Sequence, residues 1–130
     1  MRNRVWASIM ITFEKINPYE IKEHFPSFYH RDDSYFEIVK GDQAIGFISI
    51  RPFIQEGACN FGVFMIDKYK LTKNIVLEGF KLPFELGFKT VFIASSNQIV
   101  TNFLDYMKKF GIHYICNMFE KKYYVKYLKD

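Results

Sequence analysis

Apolar and polar positions along the chain change period several times, and each change marks an element. Residues 6–16 are β-rich and read as a first strand. Asn17-Pro18 then supplies a cap and a first-turn proline for a helix carrying Tyr19, Ile21 and Phe25. Pro26 interrupts it, and a second short helical piece or loop runs to about Asp33. Residues 35–40 and 44–53 are both β-rich around Gly41-Asp42, which predicts a hairpin. After a Gln55-Glu56-Gly57 turn, residues 58–66 are apolar nearly throughout, the pattern of a central strand buried on both faces. Residues 71–86 have helical spacing, with Thr72 as a possible cap, Ile75, Val76, Gly79 and Phe80 on one side, and Pro83 and Gly87 as kink and end. Residues 90–94 form a short apolar strand of the parallel-crossover kind. Ser95 or Ser96 can cap the next helix, whose stripe is Ile99, Val100, Phe103, Leu104 and Met107 and whose stop is Gly111. Strands at 113–119 and 123–128, turning at Glu120-Lys121, complete the order β-α-(α)-β-β-β-α-β-α-β-β.

Composition narrows the class. The 130 residues have no repeat, low-complexity tract or linker, so residues 1–130 read as one domain. Apolar residues make up 49%, with fifteen Phe and nine Tyr, which supports a packed core and argues against disorder. The formal charge is +4, concentrated late in the chain at Lys108, Lys109, Lys121, Lys122, Lys126 and Lys129. Tyr123, Tyr124 and Tyr127 interleave with these lysines, a pattern that single-stranded nucleic-acid binders share with plain amphipathic strands. We read an alternating strand with a solvated lysine face, hence no specific nucleic-acid partner. A mildly basic surface also suits an anionic ligand.

Cys59 and Cys116 both fall in predicted strands and are expected to be buried and reduced. His24, His30 and His113 have no ligand spacing, so no metal is expected. No apolar run approaches the ~20 residues that cross a bilayer, and no membrane partner is expected. The start, Met1-Arg2-Asn3-Arg4 before an apolar stretch, faintly imitates a signal peptide but runs into Glu14-Lys15 without a cleavage site. Met10 would serve equally as a start.

This element order resembles that of the acyl-coenzyme-A-dependent N-acetyltransferases (GNAT superfamily) over the whole chain. The nearly all-apolar strand ends Phe64-Met65-Ile66-Asp67-Lys68-Tyr69, where the family has a V-x-P-x-Y-like strand end. A helix follows at once, at the family's pyrophosphate site, and Asn97 to Gly111-Ile112 resembles its "N…A…FYxxxGF" segment. The resemblance implies an α/β (α+β) fold with a mixed, mostly antiparallel central sheet of about seven strands flanked by helices. It also implies that strands 58–66 and 90–94 lie side by side, parallel, and splay to admit pantetheine.

By the same resemblance the coenzyme would be held by Val63, Phe64, Met65, Lys70, Lys73, Asn74 and Asn97, with the backbone near Val63 to Met65 polarising the thioester. Aligning Tyr69 with the family's loop tyrosine puts Lys70 first in its R/Q-x-x-G-x-G/A loop, and the two glycine positions fall on Lys73 and Ile75. Both glycines are missing. Residues 70–75 therefore read either as a degenerate coenzyme site with lysine charge in place of glycine, or as an ordinary basic helix start. No acidic residue lies on strand 58–66, so Glu56 is the nearest candidate base, against a plain solvated turn residue. The family's acid position holds Met107, and Tyr106 beside it is the candidate acid or a core or surface tyrosine. Asn97 either bonds pantetheine or caps the helix.

Two functions follow. One is acetyl transfer from acetyl-CoA, without a metal, to a small-molecule or protein amine in the cytoplasm. The other is a non-catalytic GNAT-like module with an eroded coenzyme site, as in some small bacteriophage proteins. That module would have a protein partner in an assembly and would be virion-associated.

Overall fold

The computed structural model describes residues 10–66 and 69–128. The expected opening of the first strand at residues 6–9, together with Asp67, Lys68 and Lys129, lies outside the described residues. Seven strands form one sheet in the order β1-β2-β3-β4-β5-β7-β6. They are β1 (Ile11–Lys15), β2 (Ser34–Lys40), β3 (Gln43–Pro52), β4 (Ala58–Met65), β5 (Thr90–Ser95), β6 (His113–Met118) and β7 (Lys121–Tyr127). Every neighbouring pair is antiparallel except β4–β5, which is parallel. The helices are α1 (Pro18–His24), α2 (Lys73–Gly79), α3 (Lys81–Glu85) and α4 (Gln98–Tyr106), with 3-10 turns at Pro26–Phe28 and Met107–Phe110. The architecture is the expected mixed, mostly antiparallel sheet.

Strand alternation sorts the side chains onto two faces. Phe36, Ile48 and Val63 share one row across β2, β3 and β4, while Glu37, Phe47 and Phe64 share the next. The first face carries the main core, in which Ile38, Ile48, Phe61 and Val91 pack with Val76, Phe80, Leu104 and Met107. Phe61 stacks on Phe80 with ring centroids 4.8 Å apart. Fully burying a side chain of this size stabilises the fold by about 1.5–3 kcal/mol. The second face carries a smaller cluster, Ile21, Tyr35 and Phe47, beneath α1.

Local chemistry sets most boundaries. Asn17 accepts from the Tyr19 amide, Pro18 occupies the first turn, and Pro26 ends the run. The expected helix over 71–86 is two helices, because Pro83 lacks an amide and crowds the carbonyl four residues back, at Gly79. Neither Ser95 nor Ser96 caps α4. Asn97 does, accepting from Ile99 and Val100, while Ser95 accepts from the Asn97 amide. The last hairpin turns one residue earlier than expected, at Phe119 and Glu120, both left-handed (φ 53° and 63°) as a two-residue hairpin turn demands.

Three further expectations change. Cys59 is buried, but Cys116 is only half-buried, because β6 is an edge strand with little packed on it. Of the β7 lysines, Lys121 is exposed as expected, but Lys122 and Lys126 are half-buried. Lys122 pairs with Asp105 at 3.8 Å and Lys126 donates to the Phe110 carbonyl at 3.1 Å, so both are tied to the layer around α4. β4 is buried on both faces only in its first half. Beyond Gly62 its residues are half-buried, because its neighbour leaves it.

Candidate functional site

β4 and β5 pair at only three positions, Ala58–Thr90, Cys59–Val91 and Asn60–Phe92. β4 continues to Met65 and β5 to Ser95, so pairing ends where both strands still run on. Backbone groups on the facing edges beyond this point have no ladder partner, and a ligand can take them. Above the divergence a cavity of about 440 Å³ is lined by Lys70, Leu71, Asn97, Ile99, Val100 and Phe103. It lies between the segment leading into α2 and the first turns of α4, which cover opposite halves of the sheet.

A second cavity, about 580 Å³, opens beside the far half of β4 and is lined by Phe25, Phe28, Phe47, Val63, Phe64, Met65 and Ile66. Phe47 and Phe64 stack at 4.9 Å, and Phe28 meets Phe64 at 4.5 Å. A smaller cavity of about 180 Å³ shares Phe25, Phe47 and Ile66 with it and adds Glu20, His24 and Glu37.

Polar contacts hold the aromatic walls. Tyr35 receives the His30 amide on its hydroxyl at 2.8 Å, and that hydroxyl donates to Asp33. Arg51 grips Asp33 through Nε at 2.6 Å and a second guanidinium nitrogen at 3.3 Å. The Asp33 side chain is 4% exposed, so this two-point bond fastens the segment after Phe28 to the end of β3. Burial chiefly raises the Tyr35 phenol above its ordinary value, and the hydrogen bond that Arg51 donates to Asp33 raises its guanidinium. Both keep the protonation states that these bonds require.

Solved structures share this fold. The N-acetyltransferase PseH of Campylobacter jejuni in complex with acetyl coenzyme A superposes with a TM-score of 0.67 at 17% identity, covering 92% of this chain and 99% of that one. PaiA N-acetyltransferase from Thermoplasma acidophilum in complex with coenzyme A gives 0.63 at 13% identity, covering 92% and 99%. A Bacillus subtilis acetyltransferase in complex with CoA gives 0.69 at 13% identity, again covering 92% and 99%. The chain has the GNAT fold. No family model matches the sequence, and a search of curated proteins finds no match.

Within the GNAT fold the structure brings some expected site residues together and separates others. Val63, Phe64 and Met65 lie on β4 past the divergence, and Lys70 and Asn97 line the cavity above it. Asn97 also caps α4, so its oxygen is engaged by two amides. Lys73 and Asn74 stand exposed in the first turn of α2 and do not line that cavity. The Lys73 ammonium instead sits 5.2 Å from the centre of the Phe110 ring. Thr72 takes the Ile75 amide with its hydroxyl, so the amide at the second missing glycine position is not free for a phosphate.

Glu56, the candidate base, does not stand beside the open half of β4. It lies in the turn before Ala58, and β4 extends about 23 Å from Ala58 to Met65, so Glu56 sits at the far end from the open half. Met107 is wholly buried and contributes only to the core. Tyr106 is exposed and falls on the same helical stripe as cavity-lining Ile99 and Phe103, one turn further on, with the Lys109 ammonium 4.5 Å over its ring. Residue patterns missed Phe25, Phe28, Phe47, Glu20 and Glu37. Their one signal was the density of phenylalanine between residues 25 and 64.

Proposed function

We propose that this protein transfers an acetyl group from acetyl-CoA to an amine. The observation that carries the reading is the divergence of β4 and β5 after three pairs, beneath a cavity with a cationic rim. The open strand edges suit the amide-bearing pantetheine arm, and Lys70 offers charge to the phosphates. The coenzyme supplies the activated acetyl group. In the transfer a C–N bond forms at the carbonyl carbon, the C–S bond breaks, and the amine's proton ends on the departing thiolate. Unpaired amides of β4 near Val63 to Met65 stabilise developing negative charge on the carbonyl oxygen. Tyr106 is the proposed proton donor to sulfur. The missing loop glycines and the engaged Ile75 amide favour a second reading, a binding module that no longer takes coenzyme.

Calorimetry with coenzyme A separates the two. Saturable binding is expected, weakening with salt, and Lys70→Ala should lower the affinity by about tenfold, the loss of one charge-assisted contact. Lys73→Ala should do less, since that ammonium is turned toward Phe110. Tyr106→Phe should lower the rate of acetyl transfer while leaving coenzyme affinity unchanged. An absence of binding at any salt concentration would establish the module instead.

A further inference from the structure

We infer that the acceptor is an amine on a ring-sized apolar body without a carboxylate, seated in the aromatic cavity between α1 and β4. The inference rests on the acetyl-transfer reading. At about 580 Å³ the cavity is in the size range of small-molecule sites. None of its seven lining residues is charged. Phe25 and Phe28 form one wall and Phe47 and Phe64 the other. Phe64 lies on β4 beyond the divergence, so an occupant of the cavity extends to the edge where an acyl group would be presented.

The adjoining smaller cavity decides the charge of the occupant. Glu20 and Glu37 line it, and Glu14 stands directly opposite Glu37 in the β1–β2 register. Among the described residues, Glu20 and Glu37 have no hydrogen bond or ion pair with a side chain to neutralise them. His24 is the one basic group lining that space. This side is therefore negative, which attracts an ammonium and repels a carboxylate, and the phenylalanine faces favour a cation as well. A short aliphatic diamine would leave the aromatic walls wet.

The test compares three acceptors: 2-phenylethylamine, phenylalanine (the same body with a carboxylate) and 1,4-diaminobutane. Acetyl transfer should favour phenylethylamine by about tenfold or more in kcat/KM over both others. Phe28→Ala should raise its KM about tenfold, and Glu37→Gln should narrow its preference over phenylalanine, both with unchanged coenzyme affinity as evidence of an intact fold. Equal or better use of phenylalanine or diaminobutane, or an unmoved KM in Phe28→Ala, overturns the inference. If coenzyme does not bind and no amine is acetylated, the acetyl-transfer reading has failed. Calorimetry with phenylethylamine then decides the cavity: saturable binding lost in Phe28→Ala upholds its ligand class, and no binding overturns it.

Discussion

Cys59 and Cys116 are both strand residues, yet they face different surroundings. Cys59 is wholly buried where β4 still pairs with β5, and desolvation pushes its thiol from 9.0 up to about 12. Cys116 on the outer strand is reachable. A bulky thiol reagent should therefore label one cysteine in the native protein, Cys116, and reach Cys59 only on unfolding. The raised value also predicts a pH dependence. The unfolded chain releases the Cys59 proton near pH 9 while the folded chain holds it to about pH 12. This contribution to stability is whole below pH 9 and is lost as pH rises through that window. A Cys59→Ala variant should be less stable at neutral pH but show a shallower decline above pH 9 in denaturant titrations. The buried Tyr124 phenol, raised by burial and by its bond to Asp105, acts in the same direction at higher pH.

At the scale of elements, the segment from α1 to β2 is the part most exposed to single changes. It crosses the sheet with one short helix and one 3-10 turn, and its return is pinned by Asp33 between Arg51 and Tyr35. Asp33→Ala removes a buried carboxylate that two partners use, and should cost about 1–3 kcal/mol in chemical unfolding. Because Phe28 sits just before this anchor, the variant should also lose affinity for whatever fills the aromatic cavity while keeping coenzyme affinity. Gly46 limits the other wall. A methyl group there would meet the Phe64 carbonyl across the β3–β4 ladder, so Gly46→Ala should destabilise by about 1–3 kcal/mol, read from the thermal midpoint. The elements themselves were legible in the sequence, since their caps, prolines and alternation act within a few residues. Asn17-Pro18, Thr72, Gly41 and Gly111 all mark real ends. Pro83 marked the interruption of the 71–86 helix but not its place, because the break falls where the ring crowds a carbonyl four residues earlier, at Gly79.

Across the whole molecule, the aromatic cavity lies along the half of β4 that β5 leaves uncovered, and the other cavity lies between the segments that follow these two strands. A ligand bridging that gap joins the two halves of the sheet that three parallel pairs alone connect. Coenzyme A should accordingly raise the thermal midpoint with its concentration, the ordinary result of binding only the folded state. Strand period, turn residues and the helix between two apolar strands determined the order of elements and the parallel crossover, because these rest on local chemistry and on chain connectivity. The site was decided elsewhere. Phe25, Phe47 and Phe64 come from separate segments and meet only through the β3–β4 register and the crossing of α1, and the row Glu14, Glu37, Phe47 follows from pairing alone. Glu56 shows the converse: it precedes β4 in the chain, but that strand starts in its paired half, and the open edge begins only beyond Asn60, about 10 Å on from Ala58. Sequence spacing records distance along the chain, whereas a site is set by which strand edges remain unpaired once the sheet has formed.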